Sequence, residues 1–373
     1  MSHNWSRAVA LGAALLLAAV TLVVAGPRHG GAAAAATTAT APTASQPADP
    51  AATAAIRSYG SEHILDACWS AAELRGSPGE MQSRPDPHPF AGPPARAVPI
   101  NSPPQTPLPA GLCRSIRSVI PRGGRKVAAL TFDLCEGAGE ITGYDAAIVN
   151  FLRANRVRAT FFAGGKWMHD HPERALQLMA DPLFEVGSHS WSHRDLRQLS
   201  GSALSDQVLW TQGEYEVLWE ELDRRPCAAA FSPAEMESIP KIPLVFRFPY
   251  GSCSPAALTF VNRSGLPAIQ WSLVTGDPAP NQTAAGIVAT VLAQVRPGAI
   301  IIGHANGRGH GTASALAIYV PKLRALGYEF VTVSELLADG PEVETGDCYS
   351  VRPGDTWNLS RPRAKNAPAA TPR

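Results

Sequence analysis

Two histidines four residues apart, in His189-Ser190-Trp191-Ser192-His193, have a spacing that lets both imidazoles reach one divalent cation. A catalytic zinc site takes three protein ligands and keeps a fourth position for water. The zincin arrangement does not apply, because Ser190 stands where its catalytic glutamate would be. Three further residues have types that suit hydrolysis beside such an ion. Asp133 is a carboxylate for general-base work, Arg247 a cation that can hold a carboxylate ionised and aimed, and His304 an imidazole that can hand on a proton. Each has an ordinary reading as well: Asp133 a turn cap, Arg247 a surface cation, Pro249-Tyr250-Gly251 a plain turn, His304 a loop histidine. A lone His-x-x-x-His pair arises by chance. The argument for a site therefore rests on where all of them fall.

They fall at equivalent places. Val127-Ala128-Ala129-Leu130-Thr131-Phe132 reads as a strand buried on both faces, and it delivers Asp133 at its end. Phe184-Glu185-Val186-Gly187 leads to the histidine pair, Val245-Phe246 to Arg247, and Ala299-Ile300-Ile301-Ile302-Gly303 to His304. In α/β folds the C-terminal ends of strands open onto the loops that build the site. Further strands are predicted over 159–163, 269–273 and 330–333. Helices are predicted over 144–155, 172–179, 203–222, 284–295 and 313–326. Strands alternating with helices of this length predict an α/β fold with a parallel sheet, open or closed into a barrel. The stretch 224–244, with four prolines and no clear period, reads as an inserted loop.

The rest of the 373 residues frames this block. Residues 1–25 read as a signal peptide, with Arg7 before an apolar run and Val23-Val24-Ala25 offering small residues for cleavage. An uncleaved membrane anchor is the competing reading. Residues 26–56 are an Ala/Thr/Pro-rich linker. Over 57–125, Ser61 caps a helix with Ile64, Leu65, Cys68, Trp69 and Ala72 on one face, stopping near Gly76; a proline-rich segment then lies across the main domain. The main domain is 126–340, and 341–373 is a short proline-rich tail. In it, Tyr349 to Trp357 resembles the opening of a LysM module, a remnant or a chance match. Six cysteines suit an oxidising compartment, so periplasm, cell envelope or the outside is the expected location. Pairing cannot be read from sequence; Cys68–Cys113 and Cys135–Cys253 are the expected bridges. A free buried thiol and a thiolate metal ligand are the lesser readings for Cys135. A net charge of +1 offers no basic face for nucleic acid, and a monomer is expected.

Four motifs in order resemble the NodB-type polysaccharide deacetylases, carbohydrate esterase family 4: Thr131-Phe132-Asp133, His189-Ser190-x-x-His193, Arg247-x-Pro249-Tyr250-Gly251, and the apolar run into His304. The resemblance covers roughly residues 126–336. It implies a distorted (β/α) barrel of about seven units and a metal-assisted hydrolase that removes acetyl groups from N-acetylated sugars. By that resemblance His189 and His193 hold one divalent ion, zinc by preference with cobalt, manganese or nickel as alternatives. Asp133 is the base, Arg247 its partner and His304 the acid. Pro249, Tyr250, Trp271 and Asp277 are the substrate and oxyanion side.

The chain departs from the family pattern twice. The second aspartate that completes the metal triad is replaced by Leu134; Glu136 is the favoured substitute, with Asp133 itself or water as the other repairs. In Trp271-Ser272-Leu273-Val274-Thr275-Gly276-Asp277-Pro278, Val274 replaces the first of two aspartates, the one that normally tunes the acid histidine. This weakens the case for His304 as proton donor. An N-acetyl hydrolase on peptidoglycan or chitin-like oligosaccharide is the leading function. An O-acetyl esterase of the same family, a non-catalytic carbohydrate binder and an envelope scaffold are the alternatives.

Overall fold

The computed structural model describes residues 59–88, 94–102, 107–108 and 114–353. The expected signal peptide or anchor, the linker and the end of the LysM-like stretch, residues 354–357, lie outside these. No helix among the described residues is long and apolar enough to cross a membrane.

Seven extended segments form the sheet that carries the site. These are β1 (Val127–Leu134), β2 (Ala159–Ala163), β3 (Phe184–Ser188), β4 (Ala268–Ile269), β5 (Leu273–Val274), β6 (Ala299–His304) and β7 (Glu329–Val331). β1 pairs in parallel with β2 and β6, and β2 in parallel with β3. From β3 the ring continues through single bridges, Ser188 to Phe246 and Phe246 to Ala268. The 268–274 segment returns to β6 through β5. β7 pairs with the first half of β1, below the point where β2 takes over. The ring is a distorted (β/α) barrel, and all its internal pairings are parallel.

Two places differ from the sequence expectation. Around Phe246 the strand shrinks to bridges, between Pro243 and Pro249, whose missing N–H groups cannot serve a ladder. The expected 269–273 strand is split because it changes partner: Ala268–Ile269 pairs with a strand at Ser115–Val119, and Leu273–Val274 with β6.

Side-chain alternation on β1 divides the core. Val127 and Ala129 pack with Phe162, Ile300 and Ile302 inside the ring. Ala128, Leu130, Phe132 and Leu134 pack outward among residues of the helices. Those helices are α1 (Ala146–Ala154), α2 (Gly165–Asp170), α3 (Pro172–Ala180), α4 (Gly201–Arg224), α5 (Pro255–Arg263), α6 (Ala284–Gln294), α7 (Thr312–Ala325) and α8 (Val333–Asp339). Asp145 caps α1 by accepting from the Ala147 and Ile148 amides, and Pro172 opens α3. Thr332, expected to continue a strand, instead caps α8 in a reciprocal box with Glu335.

Ser61 does cap a helix, but Glu62–Cys68 ends at Trp69, and Ser70 starts a second helix at Ala71–Arg75 with its own capping box. Ile64, Leu65 and Trp69 join the core of the main domain. The expected inserted loop contains two proline-initiated turns of helix, Pro226–Ala230 and Pro233–Ser238.

Both expected disulfides are corrected. Cys68 bonds Cys227, fastening the first helix to that insertion, and Cys253 bonds Cys348. Cys135 is a buried free thiol, and Cys113 lies outside the described residues. The tail is part of the domain. Glu342–Thr345 pairs antiparallel with Ser115–Val119, and Tyr349 is buried against Trp271, its hydroxyl donating to the Trp271 carbonyl.

Candidate functional site

At the C-terminal rim of the ring, a cavity of about 370 Å³ is lined by Asp133, Cys135, His193, Tyr250, Trp271 and His304, among others. Each of the apolar runs picked out in the sequence delivers its polar residue to this rim.

Asp133 continues the inward parity of Val127, Ala129 and Thr131. Arg247, fully buried, donates from Nη1 to Asp133 Oδ1 at 2.9 Å and to Thr131 Oγ1 at 2.8 Å. Its Nε and Nη2 donate to the carbonyls of Ile269 and Gln270, and the guanidinium lies 4.0 Å above the Phe162 ring. The carboxylate is thus held in one orientation by a cation that is itself fixed on four sides.

His189 and His193 stand with ring centroids 5.0 Å apart. His189 Nδ1 is 2.9 Å from the Arg247 carbonyl, so this nitrogen carries the proton and Nε2 turns a lone pair toward the cavity side. The loop between them is anchored by α2: Gly165 N–H donates to Ser190 O at 2.9 Å and Lys166 N–H to Trp191 O at 2.8 Å. A Cβ on Gly165 would stand 2.4 Å from the Trp191 ring, so only glycine permits this approach. Ser190, His193 and Tyr250 all have positive φ (66°, 52° and 61°), backbone strain concentrated at the rim.

Glu136 is not brought to the imidazoles. By strand alternation it shares the outward side of Leu134. There it accepts from Lys166 Nζ at 3.0 Å and from the Thr142 amide at 2.7 Å. Burial and the neighbouring Asp170 push its carboxyl up to about 8, against the opposing pull of Lys166. Cys135 takes the inward side instead, with Sγ 3.5 Å from His189 Nε2. The ligand atoms of Cys135, His189 and His193 lie within 4.8 Å of one another, as do those of Asp133, Cys135 and His304. Burial pushes the Cys135 thiol up, but His193 and His189 outweigh it and hold the thiol well below its ordinary value. Burial lowers His189 while Asp133 and Cys135 more than offset this, leaving it raised. Sequence reasoning ranked the thiol below a disulfide. The period-two pattern that places Asp133 inward also places Cys135 inward and Glu136 outward.

His304 has the acid partner that the sequence comparison found missing. Its Nδ1 lies 3.0 Å from Asp277 Oδ1, and Asp277 Oδ2 accepts from the His304 amide at 2.7 Å and from Thr312 Oγ1 at 2.8 Å. Burial pulls the imidazole down, and Asp277 overrides it, holding His304 well above its ordinary range. Trp271 and Tyr250 line the cavity, with the Tyr250 ring edge-on to His193 at 4.4 Å. The buried Trp271 Nε1 has no hydrogen-bond partner among the described residues. Pro249 is buried in the turn 249–251 below Tyr250.

Residues 121–231 match the family model described as polysaccharide deacetylase. A peptidoglycan-N-acetylglucosamine deacetylase, PgdA, of Listeria monocytogenes is 31% identical over 225 residues, which is 60% of this chain and 41% of the relative. The chain therefore spans less than half the length of that relative. A chitooligosaccharide deacetylase of Bradyrhizobium is 28% identical over 226 residues, 57% of this chain and 91% of the relative. Among solved structures, one described as a CE4 family pseudoenzyme from Bacillus anthracis has 24% identity and a TM-score of 0.48, covering 61% of this chain and 70% of its own. The matched segment contains the β1 aspartate, Cys135 and both histidines; Arg247, Asp277 and His304 come from beyond it.

Proposed function

We propose that the domain is an extracytoplasmic, metal-dependent hydrolase that removes N-acetyl groups from N-acetylglucosamine-containing polysaccharide, peptidoglycan or a chitin-like oligosaccharide. The observation that carries this reading is the convergence on one cavity of an oriented carboxylate, an imidazole pair and a carboxylate-backed imidazole. The named functions of the relatives, and the predicted export signal, support the same substrate class.

The donor set suits a divalent ion. His189 offers a bare Nε2 with its tautomer fixed, and His193 stands beside it. A divalent ion held there would supply Lewis acidity at the acetyl carbonyl and a water acidic enough to ionise near neutral pH. Zinc is the first choice, with cobalt, manganese and nickel behind it. Asp133 takes the proton of the attacking water, aimed by Arg247, which engages only Oδ1 and leaves Oδ2 toward His189. His304 gives its proton to the departing amine. Asp277 holds the ring by Nδ1 and favours its protonated form, which leaves Nε2–H on the cavity side beside Cys135. The Trp271 ring walls the cavity and would pack against the sugar.

The test is acetate release from N-acetyl and from O-acetyl oligosaccharides, with chelator and with zinc or cobalt restored. Chelator-sensitive release from the N-acetyl substrate is expected. Release from the O-acetyl substrate alone would make the protein an esterase, and no release under any condition would make it a binder.

A further inference from the structure

Around the His189–His193 pair several side chains with metal-ligating atoms converge. His189 Nε2 faces the Cys135 sulfur at 3.5 Å and Asp133 Oδ2 at 3.6 Å. The ligand atoms of Cys135, His189 and His193 fall within a 4.8 Å sphere of mutual distances, and all three residues are buried. A thiol has one hydrogen and can satisfy one of these acceptors. The Arg247 guanidinium is spent on Asp133 Oδ1, Thr131 and two carbonyls.

We infer that Cys135 supplies the third protein ligand of this metal centre, a Cys135–His189–His193 set in which a thiolate stands in for the carboxylate lost at Leu134. The inference rests on the reading that a divalent ion is held by His189 and His193. The geometry fits the softer donor. With zinc–sulfur near 2.3 Å and zinc–nitrogen near 2.0–2.1 Å, a tetrahedral ion separates its sulfur and nitrogen ligands by roughly 3.6 Å. The Cys135–His189 separation is 3.5 Å. Strand parity gives the reason that Cys135 and not Glu136 performs this role: Leu134 and Glu136 face the helices, and Cys135 faces the ring.

On binding, the Cys135 S–H bond breaks, its proton leaves to solvent, and the sulfur lone pair forms the bond to the ion. A thiolate in the set favours zinc over the oxygen-seeking ions magnesium and manganese. Asp133 is released from any ligand duty and remains free for its place as base.

X-ray absorption on the full chain loaded with stoichiometric zinc tests this directly. The wild type is expected to show one sulfur near 2.3 Å with nitrogen or oxygen near 2.0–2.1 Å. Cys135→Ser should lose the sulfur shell, and its zinc affinity should fall by at least the ~10–100-fold that changes beyond the ligands themselves produce. Should that variant fail to fold, the wild-type spectrum alone decides. A zinc-loaded wild type with only nitrogen and oxygen neighbours would overturn the thiolate while leaving the imidazole pair as a site. A chain that takes up no zinc would overturn both. An acetyl thioester on Cys135, found by mass spectrometry of quenched turnover mixtures, would assign the sulfur to catalysis and overturn the ligand role.

Discussion

Asp277 grips His304 twice, through the ring at 3.0 Å from Nδ1 and through the backbone amide at 2.7 Å. The first contact sets the charge and tautomer of the imidazole; the second sets where β6 ends. Asp277 is in turn held by Thr312 and by Thr275 Oγ1 at 3.0 Å, so it is a fixed counter-charge.

Asp277→Asn preserves the shape but removes the charge, and its amide nitrogen cannot accept from one of the two His304 donors. If His304 is the acid, kcat on an N-acetyl substrate should fall by about 10²-fold, within the range that general-acid catalysis contributes, with KM little changed. Steady-state kinetics of the two proteins measure it. An unchanged kcat would remove His304 from proton transfer.

Arg247→Lys tests the aim of the base. A lysine offers one point charge and cannot span Asp133, Thr131 and the carbonyls of Ile269 and Gln270 at once. The expected result is a kcat loss of roughly 10²-fold with zinc content unchanged, because the geometry of the base and not the metal ligands is disturbed. Metal analysis beside kinetics checks both halves.

Much of this site was legible because burial writes itself plainly in parallel strands. Val127–Leu134, Ala159–Ala163 and Ala299–His304 are runs that only a doubly covered strand can hide, and the first and last carry Asp133 and His304 at their C-terminal ends. What escaped was non-local. The Ser115–Val119 and Glu342–Thr345 pair joins residues from opposite ends of the domain through a mixed pattern, Ser-Ile-Arg-Ser-Val, that has no strong period. Cys68–Cys227 and Cys253–Cys348 close loops of 159 and 95 residues, and nothing local marks them. Asp277, expected on the substrate side, also reaches His304, a contact that exists in space and not in sequence. Cys135 was within reach of the sequence, since the alternation that turns Asp133 inward turns it inward too.

The same alternation predicts what Glu136 does. It belongs to a buried cluster in which Lys166 Nζ serves Glu136 at 3.0 Å, Asp86 at 2.9 Å and Asp170 at 2.5 Å. Lys166→Met removes the lysine that these carboxylates share and should lower the thermal midpoint. Glu136→Gln should lower the thermal midpoint far less and leave bound zinc unchanged. Calorimetry and metal analysis on both variants report the outcome; loss of zinc in Glu136→Gln would return that residue to the metal site.

Residues 94–102 are tied to the α4 surface by acids, which makes that contact sensitive to pH. Glu216 accepts from the amides of Ile100 and Asn101 at 2.8 and 2.9 Å and from Arg96 at 2.7 Å. Glu220 accepts from Arg96 at 2.6 Å, and that bond, with Asn101 assisting, brings its carboxyl down from 4.5 to about 2. A carboxyl depressed on folding stabilises the folded state fully above its unfolded value. That contribution fades as pH falls through the folded value, so the window runs from about 4.5 down to about 2. Wild type should therefore unfold at higher temperature than Glu220→Gln at neutral pH, and the gap should close across that window. Thermal midpoints of the two proteins at matched ionic strength measure it, and a gap that stays constant down to pH 2 would show that the Arg96 pairing contributes nothing through charge.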